Sequence, residues 1–208
     1  MADNDTTPQP AGPVMQLLAS GLQYWIRQQC EAVESLELQL HGSALALLRG
    51  RLEGVTLVAR RVVFSSLDIE MVELRSAAIQ VQVGKLLKGQ ALQLEHPFEI
   101  RGYAAFTGPG LSRSLSTPHW RGLGDQLADG LLGLAPLQEL RIERDRLLLW
   151  AQGRRCETLP RAVDGRLELV NVDSDLSVAL PADPNIRIEH TSLEGGLLQL
   201  QGQARVSP

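Results

Sequence analysis

Between Ser35 and Phe106 the chain alternates apolar and polar positions again and again. Leu36, Leu38 and Leu40 are interleaved with Glu37 and Gln39, the two-residue period of a strand with one apolar face and one wet face. The alternation returns at Val55/Leu57, Leu67/Ile69, Ile79/Val81/Val83, Leu92/Leu94 and Phe98/Ile100. Such strands on short connections predict an antiparallel meander. Ahead of it the period changes. Val14, Leu17, Leu18, Gly21, Leu22, Trp25, Ile26 and Val33 recur at helical spacing, with Gln16, Gln23, Arg27, Gln28 and Glu31 away from that stripe. This predicts an amphipathic helix over 13–34, about 30 Å long and able to cross a sheet.

Further signals set the remaining elements. Ser43 reads as an N-cap for a short helix over 44–49, closed by Gly50. Strands are expected at 36–40, 55–64, 67–74, 76–83, 92–94 and 98–106, with a turn at 84–89. Thr107–Gly110 breaks the sheet and a short helix over 111–115 follows. Thr117 and Pro118 read as N-cap and first residue of a second long helix, 118–134, with Trp120, Leu123, Leu127, Leu131 and Leu134 on one face. Strands return at 137–142, 147–150, 166–172, 176–180, 185–190 and 197–206. Glu143–Arg146 forms a hairpin turn, and Pro160, Pro181 and Pro184 sit in connections. The order of helix, meander, helix, meander suggests two related halves, without a residue-level repeat. The fold class is α+β: a long curved antiparallel sheet wrapping the N-terminal helix and a second, mid-chain helix. Residues 1–12 are too polar to bury anything and read as a disordered tail ahead of one domain, 13–208.

Composition narrows the function more by exclusion than by indication. Only 4% of residues are aromatic, so the core is aliphatic. A net charge of −4 argues against a dedicated nucleic-acid binder, and the few aromatics are not interleaved with arginine as base-stacking surfaces require. Lysine occurs only at Lys85 and Lys88, so the cationic groups are arginines, among them the pairs Arg60/Arg61 and Arg154/Arg155. These read as solvated strand faces that protect sheet edges. Cys30 and Cys156 are not in metal or redox spacing. No run approaches the ~18 apolar residues of a membrane span, and the acidic start lacks a basic leader region.

Catalytic chemistry finds no constellation. His41, His96, His119 and His190 are scattered, without a ligand at helical spacing. Asp173 and Asp175 lack the glycine and terminal glutamate of a calcium loop. There is no GxSxG elbow and no phosphate-binding loop; Gly122-Leu123-Gly124 is a fragment inside a helix pattern. No enzyme activity, cofactor or metal is expected. What stands out is apolar surface: two amphipathic helices and a leucine-rich sheet, able to close as a core or to leave a groove.

Four local features point to a known family. They are the SALALLRGRLEGV element after the first strand, the L-D-I-E strand opening, the V-x-x-L-L-K-G turn, and the L-x-x-P-F-E-I-R strand before the second helix. Together, over about Leu36 to Trp150 and more faintly the C-terminal strands, they resemble the LmeA-type family of bacterial phospholipid-binding proteins, itself similar to the tubular lipid-binding (TULIP-like) proteins. The resemblance implies a curved sheet around a long helix, a lipid-holding groove, and non-enzymatic binding of a phospholipid or other fatty-acyl ligand, with transfer between membranes as an extension. The expected lining is Leu18, Leu22, Trp25, Ile26, Leu38, Leu57, Leu123, Leu127 and Leu131. Arg49, Arg51 and Arg121 are the candidate phosphate contacts. Secreted members begin with a leader or lipid anchor, which is not seen here, so the expectation is a cytoplasmic protein with peripheral membrane contact. The alternative is a structural or protein-interaction domain whose core is closed and holds no lipid.

Overall fold

The computed structural model describes residues 13–80 and 96–207. The expected tail at 1–12, the turn at 84–89 and the strand at 92–94 lie outside those residues. Within them the protein is α+β. A six-stranded antiparallel sheet runs in the order β1 (Ala32–His41), β3 (Gly54–Phe64), β4 (Leu67–Ser76), β6 (Phe98–Thr107), β13 (Leu197–Val206), β12 (Ile186–Glu194). A five-stranded sheet contains β11 (Ser177–Ala179), β10 (Arg166–Asn171), β9 (Arg154–Val163), β8 (Arg146–Ala151) and β7 (Glu139–Glu143). A small ladder pairs β2 (Arg51–Leu52) with β5 (Ile79–Gln80). The helices are α1 (Pro13–Gln29), α2 (Ala44–Leu48), α3 (Gly108–Ser116) and α4 (Arg121–Leu132).

Tight hairpins explain why so many strands fit in so short a chain. At Ser65–Ser66, Arg144–Asp145, Gln152–Gly153, Asp164–Gly165 and Gly195–Gly196 both central residues have positive φ. That conformation matches the right-handed twist of the flanking strands. Antiparallel partners share a face, so the register shows which side chains line the large sheet's interior. Leu36, Leu38 and Leu40 stand opposite Ala59, Leu57 and Val55. Val72 and Leu74 stand opposite Ala104 and Gly102, and Phe98, Ile100 and Phe106 opposite Val206, Ala204 and Leu198. One apolar face therefore runs from the Val55/Phe98/Val206 end, here the near end, to the Phe106/Leu198 far end.

Each end is covered differently. At the near end, Met15 of α1 packs with Leu47, Leu52 and Ile79, so α2 and the small ladder close that corner. Ile26 of α1 and Cys30, just past its end, reach the cluster of Leu36, Ala59 and Val62. The helix thus lies lengthwise on the sheet, and its Gln23 Nε2 donates to the Leu36 carbonyl of β1 at 3.1 Å. At the far end, α4 and the five-stranded sheet build the largest core, around Leu127, Leu131, Leu140, Leu147, Leu149 and Leu169. The Nε1 of Trp120 donates to the Ser65 carbonyl, and the Ile188 amide donates to the Gly165 carbonyl, so both sheets meet there.

Several boundaries differ from the sequence expectation. The first helix ends at Gln29, not 34, because Glu31 already donates its amide to the Val63 carbonyl and Val33 pairs with Val62 as strand. The second long helix begins at Arg121, not Pro118. The Thr117 hydroxyl donates to the Ser114 carbonyl, finishing α3 instead of capping α4. Thr107 caps α3 through the Gly110 amide, so the expected break at 107–110 is that helix's first turn. The strand expected at 76–83 is split: Ser76 ends β4, and Ile79–Gln80 pairs with β2. Pro160 lies inside a strand, β9, that the sequence reading missed. Its β8 neighbour has already reached the turn at Arg144–Asp145, so a missing amide costs no bond on that side. The two meanders are not two halves, since the last hairpin, β12–β13, returns to β6 of the first sheet.

A candidate lipid-binding site

Two apolar cavities occupy the interior face of the large sheet, one near each end. The near cavity has a volume of about 640 Å³. Its floor comes from β1, β3, β4 and β6 through Leu38, Leu57, Leu74 and Ile100, and its roof from α1 through Leu18, Leu22 and Ile26. Leu52 and Ile79 of the small ladder close one side. The far cavity, about 340 Å³, lies between β6, β13, α4 and the five-stranded sheet. Among the described residues, none lines both.

The near cavity has almost no polar chemistry. Its single polar side chain among the described residues, Ser76, is occupied: its Oγ accepts the Val55 amide at 2.8 Å. Among the described residues no ionisable side chain is in that lining. A cavity of this kind attracts hydrocarbon and gives a polar ligand nothing to hold. The mouth follows from α1, where Leu17 and Trp25 line the cavity yet are 75% and 59% exposed. Both lie at the edge of the roof, one side toward the cavity and one toward solvent.

Six of the expected lining residues, Leu18, Leu22, Trp25, Ile26, Leu38 and Leu57, come together in the near cavity. Leu123 and Leu127 line the far one. Leu131 lines neither; at 1% exposure it is core. Arg49, Arg51 and Arg121 are exposed and line neither cavity. Phe98, Ile100 and Val206 also line the near cavity and were not singled out. Their alternation was legible, but the pairing of Phe98 with Val206, far apart in the chain, was not.

Reactive groups are scarce among the described residues. No cluster of His, Cys, Asp and Glu could hold a metal. His41 is tied to the Thr56 hydroxyl, and His119 stacks edge-on against Trp120. Burial raises the pKa of Cys30, against a smaller opposing effect of Arg27. Burial, with Asp173 adding to it, pushes Cys156 up to about 11. Both therefore stay thiols at neutral pH, without nucleophilic character. No helix among the described residues is long and apolar enough to cross a membrane.

The sequence matches the model of one family, described as LmeA-like phospholipid-binding, across residues 12–207. The chain belongs to the LmeA-like phospholipid-binding family. Membership extends beyond the segment whose motifs carried the resemblance and takes in the C-terminal hairpin β12–β13. It supports lipid binding as the protein's activity, and a lipid as its partner; this is a phospholipid-binding family, not a known enzyme family. Among curated proteins and solved structures, no match to the chain is found.

Proposed function

We propose that the protein binds a phospholipid, without catalysis, in the near cavity. Its acyl chains would lie on Leu38, Leu57 and Leu74 beneath Leu18, Leu22 and Ile26. The observation that carries this reading is the void itself. As an empty, sealed core defect, about 640 Å³ would cost on the order of 15 kcal/mol at ~24 cal/mol per Å³. That is as much as a whole domain's stability, which weighs against the closed-core alternative. Each CH₂ taken from water into this lining contributes about 0.8 kcal/mol. The headgroup would stay at the mouth by Leu17 and Trp25. Arg49 and Arg51, neighbours in sequence of the lining pair Leu47 and Leu52, are the proposed phosphate contacts there. Arg121, beside Trp120 of the far cavity, is too remote in the chain's layout for that role.

Exposed apolar residues on α1, with Tyr24 at 66% beside Leu17 and Trp25, support peripheral contact with a membrane from which a lipid could be taken. Transfer is the extension of that contact. The test is native mass spectrometry of the purified protein, followed by extraction from radiolabelled phospholipid vesicles. One phospholipid per chain is the expected result. A protein that arrives empty and takes no lipid from vesicles would end this reading.

A further inference from the structure

We infer that the far cavity is a second and separate ligand site, which takes a single-chain anionic amphiphile: one acyl chain ending in a carboxylate or phosphate. The cavity is deep. Its inner end is set in the best-packed part of the molecule, against Phe106, Leu127 and Leu147, which are 7%, 3% and 1% exposed. Protein interiors hold few voids larger than a water molecule, and an apolar void stays dry until an apolar guest fills it. About 340 Å³ is a little over half of the near cavity, which suits one chain where the near cavity suits two.

The outer end has the polarity that the near cavity lacks. It opens at Arg166, the Pro181–Asp183 loop and Ile186, the last being 52% exposed. Arg166 makes no ion pair among the described residues. The acid at the same mouth, Asp183, keeps its charge but turns its Oδ1 to Asn185, accepting that residue's backbone amide and side-chain Nδ2 at 2.8 and 3.1 Å, and makes no ion pair with Arg166. The Arg187 side chain runs over the neighbouring Gly165, with its Cγ 3.0 Å from where a Cβ would stand. An anionic head emerging here would meet a free guanidinium, which recognises carboxylate and phosphate alike. The two sites are kept apart by β12. Its Arg187 carbonyl sits so close above Gly202 that a Cβ there would lie 2.1 Å away.

The test uses the full chain, stripped of lipid, with palmitate, palmitoyl-lysophosphatidylglycerol and neutral monopalmitoylglycerol as probes and phosphatidylglycerol vesicles for the near cavity. Ala182→Trp obstructs the far mouth. Gly21→Trp fills the near cavity from α1, where an added Cβ meets nothing within 4 Å. Palmitate binding is expected to be lost in A182W and kept in G21W, and phospholipid uptake the reverse. Arg166→Gln is expected to weaken the two anionic probes about tenfold, the loss of one charge-assisted contact, and to leave the neutral probe unchanged. A weakening of palmitate alone identifies a carboxylate as the ligand's head, and of the lysolipid alone a phosphate. Failure of palmitate to bind the unmodified protein, or its loss in G21W with retention in A182W, overturns the second site. An R166Q protein that binds all three probes as before overturns the anionic recognition. Loss of phospholipid uptake alone in the unmodified protein bears on the near cavity only.

Discussion

Leu36 and Leu38 offer a direct measure of whether the near cavity is a groove or a core. They stand two residues apart on β1, point to the same face, and are 6% and 7% exposed. Leu36 packs into the cluster of Ala59 and Val62, whereas Leu38 lines the cavity. Truncation of either to alanine loses the transfer energy of three carbons, roughly 2 kcal/mol. At Leu36 a new hole adds a further term, for about 3–4 kcal/mol in all; at Leu38 the side chain borders an existing cavity, so truncation widens it without opening a new hole and the cost should stay near ~2 kcal/mol. With a urea slope of about 1–3 kcal/mol/M, the lipid-free midpoints of L36A and L38A should differ by roughly 0.5–1 M. Saturating phospholipid should narrow that gap, because the bound chain supplies the neighbours that Leu38 lacks in the empty protein. Equal losses in the lipid-free proteins would mean that Leu38 is packed like Leu36, and the groove argument would fail.

Other perturbations separate structure from binding. Ser76→Ala strands the Val55 amide, which should cost about 1–3 kcal/mol and lower Tm in a thermal melt by about 3–10 °C. Gly108→Ala puts a Cβ 2.7 Å from the Ile142 amide nitrogen, so α3 must lift from β7; a loss of about 1–3 kcal/mol in chemical denaturation is expected. Cys156 has its pKa raised from 9.0 to about 11 in the folded protein, so folding holds its proton more tightly. The stabilisation this gives is complete below pH 9 and disappears as pH rises towards 11. The denaturation midpoint should therefore fall across that window, and Cys156→Ala should flatten the fall.

Local patterns carried the element types, and long-range pairing was hidden. The alternation at Leu36, Leu38 and Leu40 and the stripe at Leu18, Leu22 and Ile26 identify the floor and roof of the near cavity, because burial on one face needs those periods. The limits of α1 were not legible, since Val33 fits a helical stripe and a strand equally and only pairing with Val62 decides. β9 was hidden by Pro160, whose tolerance depends on where its neighbour ends. That Leu123 and Leu127 serve another cavity follows from the return of β12–β13 to β6. A pattern read residue by residue has no term for that closure.

The contact between Gln23 and the Leu36 carbonyl would tie ligand exchange through the proposed site to self-association. Among the described residues β1 pairs with β3 on one side only, and the helix that roofs the cavity also occupies a hydrogen-bonding group of this strand. If α1 lifts to admit a lipid, the strand loses its guard at the same moment, and an unguarded edge is a template for a second chain. An empty, open protein would then be both the state competent to load and the state prone to aggregate. A filled cavity would protect against that outcome by holding the helix down.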